Sequence, residues 1–173
     1  MLIKLIYPTT STALQLIPNF RRAPKLQVLD TGLINYFAGL QDELFRTAFI
    51  DTVYEGKIAE HIVGQELIAQ QKSRIRPLVF WAREKKQSSA EIDYLIPFEN
   101  FGIPIEVKSG TAGKLRSLRL FVEKVNHPYA IRIYSGLLKV DKLTINAHRK
   151  FHLLNLPFYL TGELEKYPKN ATS

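Results

Sequence analysis

The stretch from Ala90 to Gly110, AEIDYLIPFENFGIPIEVKSG, constrains this chain more than any other. Ile92, Tyr94 and Ile96 alternate with Glu91, Asp93 and Leu95; further on, Ile103, Ile105 and Val107 alternate with Pro104, Glu106 and Lys108. A period of two marks strands with two different faces. Asn100-Phe101-Gly102 between the runs supplies turn chemistry, with Gly102 free to take positive φ. The sequence therefore predicts a β-hairpin. Glu106 and Lys108 must share a face, and Asp93 can project from the same side of the neighbouring strand.

Two carboxylates and an ammonium on one sheet face suit a hard divalent cation such as Mg²⁺, which takes oxygen ligands and keeps several waters. Such a metal lowers the pKa of bound water and shields a phosphodiester's charge. A lysine beside it can orient the water or neutralise charge developing on phosphorus. The same residues would equally make a cross-strand salt bridge, Lys108 with Glu106 or Asp93. The triplet alone does not separate the two readings.

The flanking chain reads as alternating helices and strands. Leu2–Tyr7 and Lys25–Leu29 are strand-like, and Pro8–Asn19 is an irregular connection. Asp30 is a good N-cap for a helix from Thr31 to Ala38, stopped by Gly39, and a short helix fits Asp42–Phe49. Asp51–Gln71 reads as the longest helix, with Ile58, Ala59, Ile62, Val63, Leu67 and Ile68 at helical spacing. On a helical projection Glu66 falls inside that apolar arc and Glu60 at its edge, while His61 points away as a surface histidine. A carboxylate on a core-facing arc is costly unless paired or metal-bound; Glu66 suits a bond to an arginine or a backbone group.

A strand at Leu78–Arg83, with Trp81 as a core residue, precedes the polar loop Glu84–Ser89. Lys85 and Lys86 of that loop can meet a nucleic-acid backbone. After the hairpin come a helix from Lys114 to Val125 and a strand at Tyr129–Ser135. Lys114 and Arg116 lie off that helix's apolar stripe, free for phosphates. Strand-like runs at Leu137–Ile145 and Phe151–Asn155 and a closing helix at Leu156–Tyr167 complete the pattern.

The pair Glu91-Ile92-Asp93, followed by Ile105-Glu106-Val107-Lys108, resembles the PD-(D/E)XK nuclease superfamily. Together with PKLQVLDTGL (Pro24–Leu33), GKIAEHIVGQEL (Gly56–Leu67) and LVFWAR (Leu78–Arg83), the series is similar to an uncharacterised domain found C-terminal to an AAA-type ATPase core in many bacterial and archaeal proteins. The resemblance covers most of the chain. It implies an α/β fold of restriction-endonuclease-like type, an αβββαβ core with a central mixed sheet flanked by helices. It implies that Glu60, Asp93 and Glu106 bind Mg²⁺ or Mn²⁺, that Lys108 assists the attacking water, and that Glu91 is a further candidate. It implies phosphodiester hydrolysis on nucleic acid as part of an ATPase system, or a non-catalytic docking module that joins the ATPase to nucleic acid or protein.

Composition is compatible with these expectations. The 173 residues suit one sizeable core. The expected division is an N-terminal appendage over 1–50 packed on the core, a nuclease-like domain over 51–167 and a tail over 168–173. The short strand at the start suggests a chain that begins inside a larger product. A formal charge of +8 and a pI near 9.7 favour an anionic partner such as nucleic acid. The absence of cysteine excludes disulfides and thiolate metal sites and fits a reducing cytoplasm. No apolar run reaches the ~20 residues of a membrane helix. Gly110-Thr-Ala-Gly-Lys114 fails as an ATP-binding loop, because two residues separate its glycines and Leu115 stands where a Mg²⁺-binding hydroxyl belongs. His148 and His152 have the spacing of a helical metal pair but fall in a strand-like run.

Overall fold

A computed structural model describes residues 3–13, 16–37, 39, 56–71, 77–84, 90–110, 115–146 and 149–167. The strands are β1 (Ile3–Thr9), β2 (Lys25–Val28), β3 (Val79–Ala82), β4 (Glu91–Phe98), β5 (Phe101–Val107), β6 (Tyr129–Tyr134), β7 (Lys139–Asn146) and β8 (Arg149–Pro157). The helices are α1 (Thr31–Phe37), α2 (Lys57–Ala69) and α3 (Arg116–Val122), followed by a 3₁₀ helix at Phe158–Lys166. From α2 to β6 the order is α, β, β, β, α, β, as expected.

The strands form one mixed sheet in the order β2-β1-β3-β4-β5-β6-β8-β7. β1–β3, β5–β6 and β6–β8 are parallel; the remaining neighbours are antiparallel. Strand β3 is buried along its whole length, which explains why VFWA carries no polar residue. Phe80 and Ala82 face one core, Val79 and Trp81 the other. On the first face α2 packs Ala59, Val63 and Leu67, spaced four apart along one side, with Leu164 of the 3₁₀ helix. On the second face α3 packs Leu118, Phe121 and Val122, and Trp81 meets Phe121 edge-to-face at 5.3 Å. Trp81 is thus a core residue, as its sequence context predicts. No helix among the described residues is long and apolar enough to cross a membrane.

Local signals hold where they rest on caps. Asp30 Oδ1 accepts from the amides of Gly32 at 2.8 Å and Leu33 at 3.3 Å, and Gly39 stands at φ 68 past the end of α1. The helix expected at Asp42–Phe49 and the first turn of the one expected from Asp51 lie outside the described residues. The hairpin differs from expectation by a shift of its turn. Phe98 pairs with Phe101, so the connecting residues are Glu99 and Asn100, and Glu99 carries the positive φ of 48. Gly102 sits inside β5 opposite Pro97, where a Cβ would meet the Leu16 side chain at 3.0 Å. Its hydrogen serves close packing instead of turn geometry.

The alternation along β4 is also broken. Val79 pairs with Leu95 but Trp81 pairs with Ile92, so Asp93 and Tyr94 together oppose Phe80. This is a β-bulge. In consequence Ile92 joins Leu95 in the core under α3, while Tyr94 and Ile96 pack under α2. Glu66 also departs from expectation: it is exposed beside Gly162, because α2 is covered only along its sheet-facing side. His61 is half-buried instead of on the open surface; its Nδ1 accepts weakly from the Val28 amide at 3.5 Å.

Candidate active site

Strands β4 and β5 part at one end of the hairpin. The last paired residues are Tyr94 and Ile105. Just beyond them the bulge presents Asp93, whose Oδ2 accepts from the Val107 amide at 2.7 Å. The side chain replaces the main-chain acceptor that a continuing ladder would provide. Glu106 lies next to Val107 and its Oε1 takes the Lys108 ammonium at 2.6 Å. The Lys108 amide is fixed by the Ile133 carbonyl of β6 at 2.9 Å, so the residue is anchored where β5 ends.

Glu60 arrives from the first turn of α2. Tyr94 fixes that turn: its hydroxyl donates to the Glu60 carbonyl at 2.8 Å and lies 3.2 Å from Gln27 Oε1. Gln27 in turn donates to the His61 carbonyl at 2.8 Å. Gly64 makes this approach possible, since any Cβ there would overlap Gln27 Oε1 and the Tyr94 hydroxyl. Ile6, Lys25, Leu26, Gln27, Glu60, His61, Glu91 and Tyr94 line a cleft of about 470 Å³.

The cation at the centre is Lys25, which the sequence marks only as the first residue of a strand-like run. Lys25 Nζ lies 3.6 Å from Glu60 Oε2 and 3.8 Å from Asp93 Oδ1, and it bonds Glu91 Oε1. It also stands 4.9 Å from the centre of the Phe80 ring, opposite the bulge. Burial by itself would lower its pKa; the Glu91 hydrogen bond and the Glu60 and Asp93 charges more than offset this and raise it. No local signal in Lys-Leu-Gln-Val announces such a role. It depends on β2 reaching the cleft through β1 and β3.

The carboxylates are under electrostatic tension. Asp93 is 9% exposed; burial first, then the Glu106 and Glu60 charges, push its pKa up to about 7. Glu106, 7% exposed, is raised by burial despite its bond to Lys108. The Tyr94 hydroxyl is raised by burial and then by Glu60 and Asp93. Glu106 Oε2 is sealed from water and has no hydrogen-bond partner among the described residues. A buried oxygen of this kind fits a cation, and the donors are all hard oxygens suited to Mg²⁺ or Mn²⁺. Among the described residues, however, no three His, Asp or Glu side chains converge as a metal-ligand group. Lys25 holds Glu60, Glu91 and Asp93 around its own ammonium instead.

Of the residues expected to meet nucleic acid, Arg116 is exposed at the start of α3; Lys85, Lys86 and Lys114 lie outside the described residues. The remainder of the glycine-bearing Gly110–Lys114 segment and His148 lie outside them too, and His152 is in strand β8 as its neighbours suggest.

The family model described as "Domain of unknown function (DUF4143)" matches residues 55–159, most of the chain. The chain belongs to the DUF4143 family. The DUF4143 match takes in Glu60, Glu91, Asp93, Glu106 and Lys108, while Lys25 precedes it. No curated protein and no solved structure matches the chain.

Proposed function

We propose that this DUF4143 chain is a metal-dependent nuclease-fold domain of PD-(D/E)XK type, hydrolysing phosphodiesters of nucleic acid as the C-terminal part of an ATPase system. The observation that carries the reading is the meeting of Asp93, Glu106 and Lys108 where β4 and β5 part, with Glu106 Oε2 buried and unpaired. Asp93 and Glu106 would hold Mg²⁺ or Mn²⁺, with Glu60 joining from α2 once Lys25 yields its place. The ion would supply a water of lowered pKa and charge shielding for the phosphodiester. The chain's own residues do the rest. Lys108, steered by Glu106, presents an ammonium toward the reacting phosphate and stabilises its added negative charge. The Val107 amide fixes the Asp93 carboxylate. Exposed basic residues, Arg116 among them, would position the backbone.

One observation favours a second reading, a non-catalytic module that docks an AAA-type ATPase to nucleic acid or protein. Lys25 places its own ammonium among Glu60, Glu91 and Asp93, where a metal ion would have to sit.

The test is cleavage of single-stranded, duplex and branched substrates with Mn²⁺. Lys108→Ala should keep metal-induced thermal stabilisation and lose turnover; Glu106→Ala and Asp93→Ala should lose both, while all three still bind nucleic acid. Binding by the wild type with no cleavage of any substrate, even with the ATPase part supplied, would select the docking module.

A further inference from the structure

We infer that Arg132 is a phosphate-contacting residue, forming an oxyanion subsite beside Glu106 for the nucleic-acid backbone; this rests on the nucleic-acid reading above. In the sheet register Glu106 of β5 stands next to Arg132 of β6, and Arg132 next to Asn155 of β8. Their flanking residues Ile105 and Val107, Ile131 and Ile133, and Leu154 and Leu156 all face the core under α2. Alternation therefore puts Glu106, Arg132 and Asn155 together on the opposite face.

Each member of this row has a buried polar atom without a partner among the described residues: Glu106 Oε2, Arg132 Nε and Asn155 Oδ1. Natively buried polar groups are nearly always satisfied, and a run of three exceptions in register calls for an explanation. Arg132 is the sharpest of them. It is only 9% exposed, yet among the described residues it makes no ion pair. Arginine is rarely buried unless paired. The nearest carboxylate by register, Glu106, gives its Oε1 to Lys108.

The guanidinium is nevertheless held in place. Its central carbon lies 4.5 Å from the centre of the Tyr134 ring, and the Tyr134 hydroxyl is tied to the Leu137 carbonyl at 2.7 Å. A fixed, planar, unpaired fork suits a tetrahedral oxyanion, which it grips with two N–H donors. A sulfate-like shape alone would satisfy Arg132, but the adjacent cation-seeking Glu106 Oε2 and the Lys108 ammonium mark the ligand as a phosphodiester set between positive and metal-binding groups. Asn155 supports the row from β8: its Nδ2 donates to Asp141 Oδ2 at 3.0 Å and to the Leu153 carbonyl at 3.1 Å.

The experiment is a titration of fluorescent single-stranded and duplex oligonucleotides with the full chain in chelator, so that no cleavage intervenes, at two salt concentrations. Arg132→Met should raise Kd about 10- to 100-fold and lower the slope of log K against log salt by about 1. Arg132→Lys keeps the charge but loses the fork, and should fall between the two. Thermal scans of each variant report folding. Should Arg132→Met fail to fold, Arg132→Lys decides, with a loss of at least about fivefold expected. Variants that fold and bind with wild-type affinity and salt slope would overturn this inference while leaving the nucleic-acid reading intact. A wild type that binds no oligonucleotide at low salt would overturn both.

Discussion

Replacing Asp93 by Asn isolates the tension in the carboxylate cluster. The amide keeps an oxygen to accept from Val107 but carries no charge. In the fold the Asp93 carboxyl titrates at about 7, against its ordinary 3.8. Each tenfold change is ~1.4 kcal/mol, so the ionised form is disfavoured by about 4 kcal/mol relative to the unfolded chain. The sign follows from proton counting. Between pH of about 4 and about 7 the folded state holds a proton that the unfolded state has released, so stability falls as pH rises through this window. Above about 7 both states are ionised and the penalty is complete. Glu106, also raised, acts in the same direction, and its charge is one of those that raise Asp93. His127 acts oppositely: burial lowers its pKa, so its contribution is lost as pH falls below its ordinary 6.5, equally in both proteins. Urea unfolding followed by circular dichroism, in chelator at several pH values from 4 to 8, measures the difference. Asp93→Asn should gain about 2–4 kcal/mol on the wild type between pH 4 and pH 8. Millimolar Mg²⁺ at pH 8 should narrow the gap by stabilising the wild type alone. A difference that stays constant across this range would refute the claim that Asp93 is held against its charge.

Lys25→Met removes the ammonium from among Glu60, Glu91 and Asp93 and should cost about 2 kcal/mol in chelator, less than a fully buried pair because the site is partly open. Mn²⁺ should then raise the variant's Tm more than the wild type's, and equal shifts would show that Lys25 and metal do not compete. Gly64→Ala should lose about 1–3 kcal/mol, although alanine ordinarily favours a helix by about 1, because its Cβ would overlap Gln27 and Tyr94. A Gly64→Ala protein more stable than wild type in denaturant titrations would refute that close approach.

What could be read from the sequence was local. Apolar spacing marked α2 and α3, the Asp30 cap marked the start of α1, and the runs around Trp81, Tyr94 and Ile105 marked strands, because these patterns repeat within a few residues. Their order was enough to state the αβββαβ core. Glu106 and Lys108 had to share a face for the same reason: they stand two positions apart along an extended run. The bulge was not legible, since Ile92-Asp93-Tyr94 alternates as any strand does; it exists because β4 must match both β3 and β5 in register. Tertiary structure likewise moved the turn to Glu99–Asn100, where Leu16 claims the space at Gly102. It also left Arg132 without an ion pair among the described residues, beside Glu106, through a parallel pairing that joins strands more than twenty residues apart. Lys25 shows the division most plainly. In the sequence it is one lysine near two arginines, far from every acidic residue it meets. Only the path from β2 through β1 and β3 to β4 brings its charge among Glu60, Glu91 and Asp93, and electrostatic partners depend on distance in space, which local patterns do not encode.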